Sequence, residues 1–171
     1  MPGTPTSEGL KPMDSRIANQ FILASIEVFR KTGNVSLKKT GLEYFPNSQK
    51  ISAGIATILG VTGDIKGQFI ITLGEPFAMK VASAILMGIP VTVYDEVTES
   101  AVCELGNMIG GEASKLLHEV GLKCDITVPS IVRGKEMEIA FYPVAPMFIV
   151  HFSCEWGPID LILSFDNKVK V

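Results

Sequence analysis

The sequence predicts an α+β domain in which a long, mostly antiparallel sheet carries its helices on one face. Three observations predict it. Two long segments, one near the N-terminus and one in the middle, space their apolar residues at the helical period. Short β-rich runs follow each of them, joined by turn residues. The order is helix, three strands, helix and then helix, four strands, the outline of a loose internal duplication that diverges at its end.

Each element carries its own signal. Residues 1–13 hold three prolines and two glycines and predict a flexible tail, leaving residues 14–171 as a single domain. Asp14 caps a first helix to about Thr32, with Ile17, Phe21, Ile22, Ile26 and Phe29 at helical spacing and Gly33-Asn34 as its stop. Val35 to Leu42 is a candidate edge strand. Ile51 to Val61 and Gly67 to Leu73 form a hairpin around Thr62-Gly63-Asp64. Glu75-Pro76 opens a second helix, with proline where its missing N–H is harmless, and Gly88 and Pro90 close it. A third helix runs from about Asp95 to Val120 and stops at Gly121. Four strands then complete the chain: 123–128, 136–142, 147–155 and 159–165. Trp156-Gly157-Pro158 turns between the last two, and the loop Pro143 to Pro146 interrupts the ladder. In the final strand Ile159, Leu161, Leu163 and Phe165 share one face.

Composition narrows the function classes. A chain of 171 residues that is 47% hydrophobic can bury a sizeable core in one domain. Its net charge is −3 and its basic residues are scattered, which argues against nucleic acid as a partner. No apolar run approaches the ~20 residues of a membrane span, and the N-terminus has no secretory pattern. Cys103, Cys124 and Cys154 lie far apart without a CxxC pair, and His118 and His151 are isolated. That makes a zinc site improbable and predicts buried, reduced thiols in a cytoplasmic protein.

The third helix carries the informative feature, the stretch from Ser100 to Gly111, SAVCELGNMIGG. At ~100° per residue, Ala101, Leu105, Met108, Ile109, Ala113, Leu116, Leu117 and Val120 share a sector that predicts the core face. Ser100, Glu104, Asn107, Gly111 and His118 fall opposite, in a strip about one side chain wide. Glu104 and Asn107 are i and i+3 neighbours and point to the same patch. Asn107, Gly106, Gly110 and Gly111 together weaken this helix by ~2–3 kcal/mol relative to alanine. Their retention predicts close approach by another helix or another molecule. Glu27-Val28-Phe29-Arg30 holds the matching place in the first helix, with Arg30 where the third helix has its amide.

Glu104-x-x-Asn107, within a GluLeuGlyAsnMetIleGlyGly run, resembles the signature of the CheC/CheX/FliY chemotaxis phosphatases, and the rest of the chain is most similar to the CheX branch. The resemblance spans roughly residues 14 to 165. It includes Ile26-Glu27-Val28-Phe29, the hairpin from Gly60 to Gly67, and Pro129-Ser130-Ile131-Val132-Arg133-Gly134. Pro129 follows Asn107 by 22 positions and Ser100 precedes Glu104 by four, as in the family. One Glu-x-x-Asn motif instead of two, with Arg30 at the second place, fits the CheX branch. A lone Glu-x-x-Asn has little specificity, and its weight comes from this context.

The resemblance implies a pseudo-duplicated CheC/CheX-like domain that hydrolyses the aspartyl-phosphate of a CheY-type response regulator. It implies that Asn107 positions the attacking water and that Glu104 docks to the regulator's active-site lysine. Ser100, Glu104, Asn107 and Gly111 would form the partner-binding strip, with Gly106, Gly110 and Gly111 keeping the helix thin enough to enter the partner's cleft. It implies no cofactor of the chain's own, Mg²⁺ being supplied by the phosphorylated partner, and a homodimer joined through sheet edges. The alternative is a non-catalytic receiver-binding or flagellar-switch adapter of the same fold.

Overall fold

The computed structural model describes residues 15–141 and 145–166. Among them are three helices and one seven-stranded antiparallel sheet: α1 (Ser15–Gly33), β1 (Lys38–Phe45), β2 (Ile51–Gly63), β3 (Gly67–Leu73), α2 (Glu75–Ile85), α3 (Glu96–Glu119), β4 (Cys124–Ile126), β5 (Ser130–Ile139), β6 (Met147–Cys154) and β7 (Gly157–Phe165). The expected tail, the Asp14 cap and part of the Pro143 to Pro146 loop lie outside the described residues.

The strand order is β1-β6-β7-β3-β2, with β4 and β5 pairing successive stretches of the outer side of β2. That order reads the same in both directions once β1, β2 and β3 are matched with β5, β6 and β7. The duplication expected from the sequence is therefore visible as a pseudo-twofold arrangement. Each half gives its edge strand to the other: β1 pairs with β6, and β5 pairs with β2. Between β4 and β5 the edge is broken at Thr127, whose N–H donates to the Gly60 carbonyl at 2.9 Å while its hydroxyl accepts from the Gly60 N–H at 2.8 Å. Pro129, which has no N–H, sits in this break.

The core lies between the sheet and the helices. Phe21 of α1 stacks on Phe69 and Phe165 at centroid distances of 5.1 and 5.4 Å, which seats α1 over the central strands β3 and β7. Ile159, Leu161, Leu163 and Phe165 share this face, as their alternation predicts. The opposite face is not wholly polar. Ile51, Ala56, Ile70, Phe141, Met147 and Ile162 form a smaller second core there. Most strand ends differ from expectation by a few residues, but the strand expected over 136–142 begins six residues earlier, at Ser130, and the last turn is Glu155-Trp156, with Gly157 already in β7 at φ 116°. Trp156 packs against Phe29 and Phe77. Cys124 is buried, whereas Cys103 and Cys154 are only partly so, and all three are free thiols.

Two helix ends set the path of the chain from α2 into α3. Asp95 caps α3: its carboxylate accepts from the Val97 and Thr98 N–H groups while Thr98 Oγ1 accepts from the Asp95 N–H, a closed capping box. At the end of α2, the Gly88 N–H donates to the Ser83 carbonyl at 2.8 Å and the Met87 N–H to Ala84 at 3.2 Å. This is a Schellman closure in which Met87, at φ 60°, holds the left-handed position normally given to glycine. For a side chain larger than glycine that conformation costs ~1–2 kcal/mol.

Candidate functional site

α3 lies across the half of the sheet formed by β2, β4 and β5, flanked by α1 and α2. Thr98, Ala101, Val102, Leu105, Gly106, Ile109, Gly110, Ala113 and Leu117 are buried. Met108 and Leu116 pack partly against the core, while Val120, expected on the core face, is exposed at the helix end. The buried sector is thus broader than expected and includes two of the glycines.

Those two correct the sequence reading. A Cβ at Gly106 would stand 2.9 Å from Leu59 Cδ1, and one at Gly110 would stand 2.9 Å from Ile126 Cγ2 and 3.1 Å from Phe69 Cζ. Gly106 and Gly110 therefore let α3 settle onto its own sheet and do not thin the helix toward a partner. At the position of α1 that matches Gly106 the residue is Phe29. Only Gly111 faces outward, with open space where a Cβ would be.

The outward strip is as the helical wheel predicts. Ser100, Glu104, Asn107, Gly111, Lys115 and His118 are all exposed. Glu104 and Asn107 project one turn apart, with Cβ atoms ~5–6 Å from one another. His118 lies three turns beyond Asn107, beside a groove of about 460 Å³ lined by Gly111, Ser114, Lys115, Lys123 and Asp125. Cys103, at the strip's margin, is half-buried, and burial pushes its thiol up. The strip is a ridge: a carboxylate and a carboxamide stand on the convex outer surface of a helix. Small-molecule sites are concave and bury most of their ligand. Among the described residues, no group of three or more His, Cys, Asp or Glu is placed to hold a metal ion, and no helix is long and apolar enough to cross a membrane.

The pseudo-equivalent surface on α1 is chemically closed. Arg30 donates to Glu27 through two nitrogens at 2.7 and 3.0 Å, and Lys31 lies 3.4 Å from the same carboxylate. These cations hold the Glu27 carboxyl down at about 2. The glutamate matching Glu104 is thus already occupied.

Sequence reading missed the surroundings of the N-terminal end of α3. Arg133 of β5 stacks over the Tyr94 ring at 4.3 Å and approaches Glu75 of α2 at 3.7 Å, fastening the α2–α3 loop to the sheet edge. Burial, helped by the Glu99 carboxylate, pushes the Tyr94 phenol up. Arg133 and Tyr94 are 39 positions apart, and no local pattern joins them. The exposed apolar residues of that loop were also missed, because they stand among Gly88 and Pro90 and read as a terminator.

Residues 55–153 match the family model described as chemotaxis phosphatase CheX. The chain is 34% identical over 132 residues to the CheY-P phosphatase CheX of Thermotoga maritima, covering 77% of this chain and 84% of that one. Among solved structures, a CheC-like superfamily protein from Shewanella superimposes with a TM-score of 0.81 at 26% identity, covering 91% of this chain and all of the other. The CheX of Borrelia burgdorferi, solved as a complex with CheY, BeF3 and Mg²⁺, superimposes with a TM-score of 0.67 at 27% identity over 88% of this chain and 98% of that one.

Proposed function

The chain belongs to the chemotaxis phosphatase CheX family, and on that premise we propose that it hydrolyses the aspartyl-phosphate of a CheY-type response regulator, with Asn107 and Glu104 as the working pair. The observation that carries this is the outward ridge, where the amide and the carboxylate stand side by side, both exposed, on a capped, sheet-anchored helix.

An acyl phosphate is already reactive, and its transfer passes through a loose transition state that requires positioning more than a strong base. Asn107 Oδ1 accepts a hydrogen bond from a water and holds it in line with the phosphorus. The new P–O bond forms as the acyl P–O bond breaks, the aspartate leaves as carboxylate, and the water's protons pass to phosphate and solvent. Orientation of this kind contributes on the order of 10²-fold or more in rate. Glu104 pairs with the regulator's active-site lysine, a charge contact desolvated by the interface. Ser100 and Gly111 border the pair and admit the partner closely. The chain needs no metal of its own in this scheme, because Mg²⁺ arrives with the phosphorylated regulator. We place the protein in the cytoplasm, where such regulators act, as a homodimer joined through the exposed edges formed by β1 or by β4 and β5.

The test is the decay of phosphate from a phosphorylated CheY-type receiver in excess Mg²⁺, with the wild type and with Asn107→Ala. The expected result is faster decay with the wild type, and binding without acceleration by the variant. Binding by both with no change in decay would make the chain an adapter and refute the mechanism.

A further inference from the structure

Four large apolar side chains are exposed within one short stretch: Met87 (94%), Ile89 (61%), Val93 (64%) and Val97 (48%). From Met87 to Tyr94 the chain carries no charge. The stretch is held at several points. The Schellman closure fixes Met87 and Gly88, Thr98 Oγ1 donates to the Val93 carbonyl at 3.4 Å, and Arg133 covers Tyr94. It is a fixed apolar shelf.

Among the described residues the shelf has no stabilising return. Met87 occupies a left-handed position and turns its side chain to solvent, so backbone strain and unburied apolar surface coincide at one residue. Its place suggests where the return lies. Val97 is in the first turn of α3, on the Glu104 side of the outward strip, ~10 Å from Glu104 and ~15 Å from Asn107 along the helix axis. A standard interface covers ~800 Å² on each partner, equivalent to a disc of ~16 Å radius. Glu104 and Asn107 fill a small part of such a footprint. The shelf continues it at the N-terminal end of α3, whereas the other end runs into the polar Lys115, His118 and Glu119.

We propose that Met87, Ile89, Val93 and Val97 form the affinity half of the receiver interface, taking an apolar face of the same phosphorylated receiver whose cleft admits Glu104 and Asn107. This rests on the proposed phosphatase reading. The polar pair then acts on the phosphate while the shelf supplies the desolvated anchor, the usual division between a few contacts that carry energy and those that carry specificity.

The test uses Met87→Gly and a double variant, Ile89→Ser with Val97→Ser, in two assays. One measures kcat and KM for decay of the phosphorylated receiver. The other measures the Kd for the beryllofluoride-activated receiver. Expected are a KM and Kd raised about tenfold with kcat retained. Met87→Gly should melt higher than the wild type, because glycine relieves the strained position. Affinity and stability then move in opposite directions, which misfolding does not produce. Unchanged KM and Kd alongside wild-type acceleration would overturn the shelf alone. A patch-dependent Kd without acceleration would uphold the shelf and overturn hydrolysis. Self-association of the wild type that the variants abolish, with receiver affinity intact, would identify a second copy as the occupant and overturn the proposal.

Discussion

Gly110 and Gly111 are neighbours in one helix, and the structure gives them opposite reasons to exist. Replacing either with alanine raises helix propensity by ~1 kcal/mol and restricts the unfolded chain equally. At Gly111 nothing opposes that gain, because beyond its own stretch of helix no atom of the described residues lies within 4 Å of the added methyl. At Gly110 the methyl would meet Ile126 Cγ2 at 2.9 Å, Phe69 Cζ at 3.1 Å and Ile126 Cγ1 at 3.3 Å. Phe69 is fully buried and Ile126 lies on the neighbouring strand β4, so the wall is closed on two sides. Overpacking of this kind costs ~1–3 kcal/mol. Gly111→Ala should therefore gain ~1 kcal/mol and Gly110→Ala should lose ~0–2 kcal/mol, a separation of ~1–3 kcal/mol. For a domain of this size each kcal/mol moves Tm by ~2–4 °C. Parallel thermal melts read the difference directly, since the propensity gain cancels between the variants. Equal melting temperatures would refute the packing account of Gly110, and a destabilised Gly111→Ala would refute the assignment of helix faces.

Two further predictions concern the frame around the site. Asp95→Ala opens the capping box and should lower stability by ~1 kcal/mol, read as a Tm about 2–4 °C lower, with Asp95→Asn retaining most of the cap. His151 lies on the outer face of β6 between Glu43 of β1 and Asp160 of β7, each at 2.7 Å, and the hydrogen bond to Glu43 followed by that to Asp160 raises its pKa. A raised folded pKa contributes stability that is complete below the unfolded value of ~6.5 and is lost as pH rises through the folded one. The urea midpoint should therefore fall as pH rises above ~6.5. His151→Gln should flatten that slope, and an unchanged slope in the variant would exclude His151 as its source.

The sequence carried the α3 strip almost completely, since Ser100, Glu104, Asn107, Gly111 and His118 are exposed at the positions a simple wheel assigns. A wheel works here because the helix is long, capped and laid with one face on the sheet. The same wheel misplaced the purpose of Gly106 and Gly110. Helical position gives a direction, whereas the distance to Leu59 or Ile126 depends on how deeply the helix settles, a property of two elements together. Strand order was legible only as a duplication, because the pairing of β1 with β6 joins segments far apart in the chain. The smaller core around Ile70 and Met147 escaped notice because the pattern of alternation marks one face as buried without saying that the other is exposed. Arg30 was read as a lost amide, and the structure adds the reason for its effect, a carboxylate clasped by its own helix.

The exchange of edge strands between the halves has a consequence for how the chain is made. As the first half leaves the ribosome, β2 has β3 beside it but no β5, and β1 has no partner at all, because Lys38 pairs with Ser153 and Glu43 with Ile149. Loop closure over such separations is slow, and open strand edges invite pairing with other chains. The nascent first half therefore waits with unfilled edges on β1, β2 and β3 until synthesis is nearly complete. Two identical halves, on separate chains, would satisfy each other in the same way. Such a pair would be a strand-exchanged dimer, and joining the two halves in one chain turns an encounter between molecules into a closure within one.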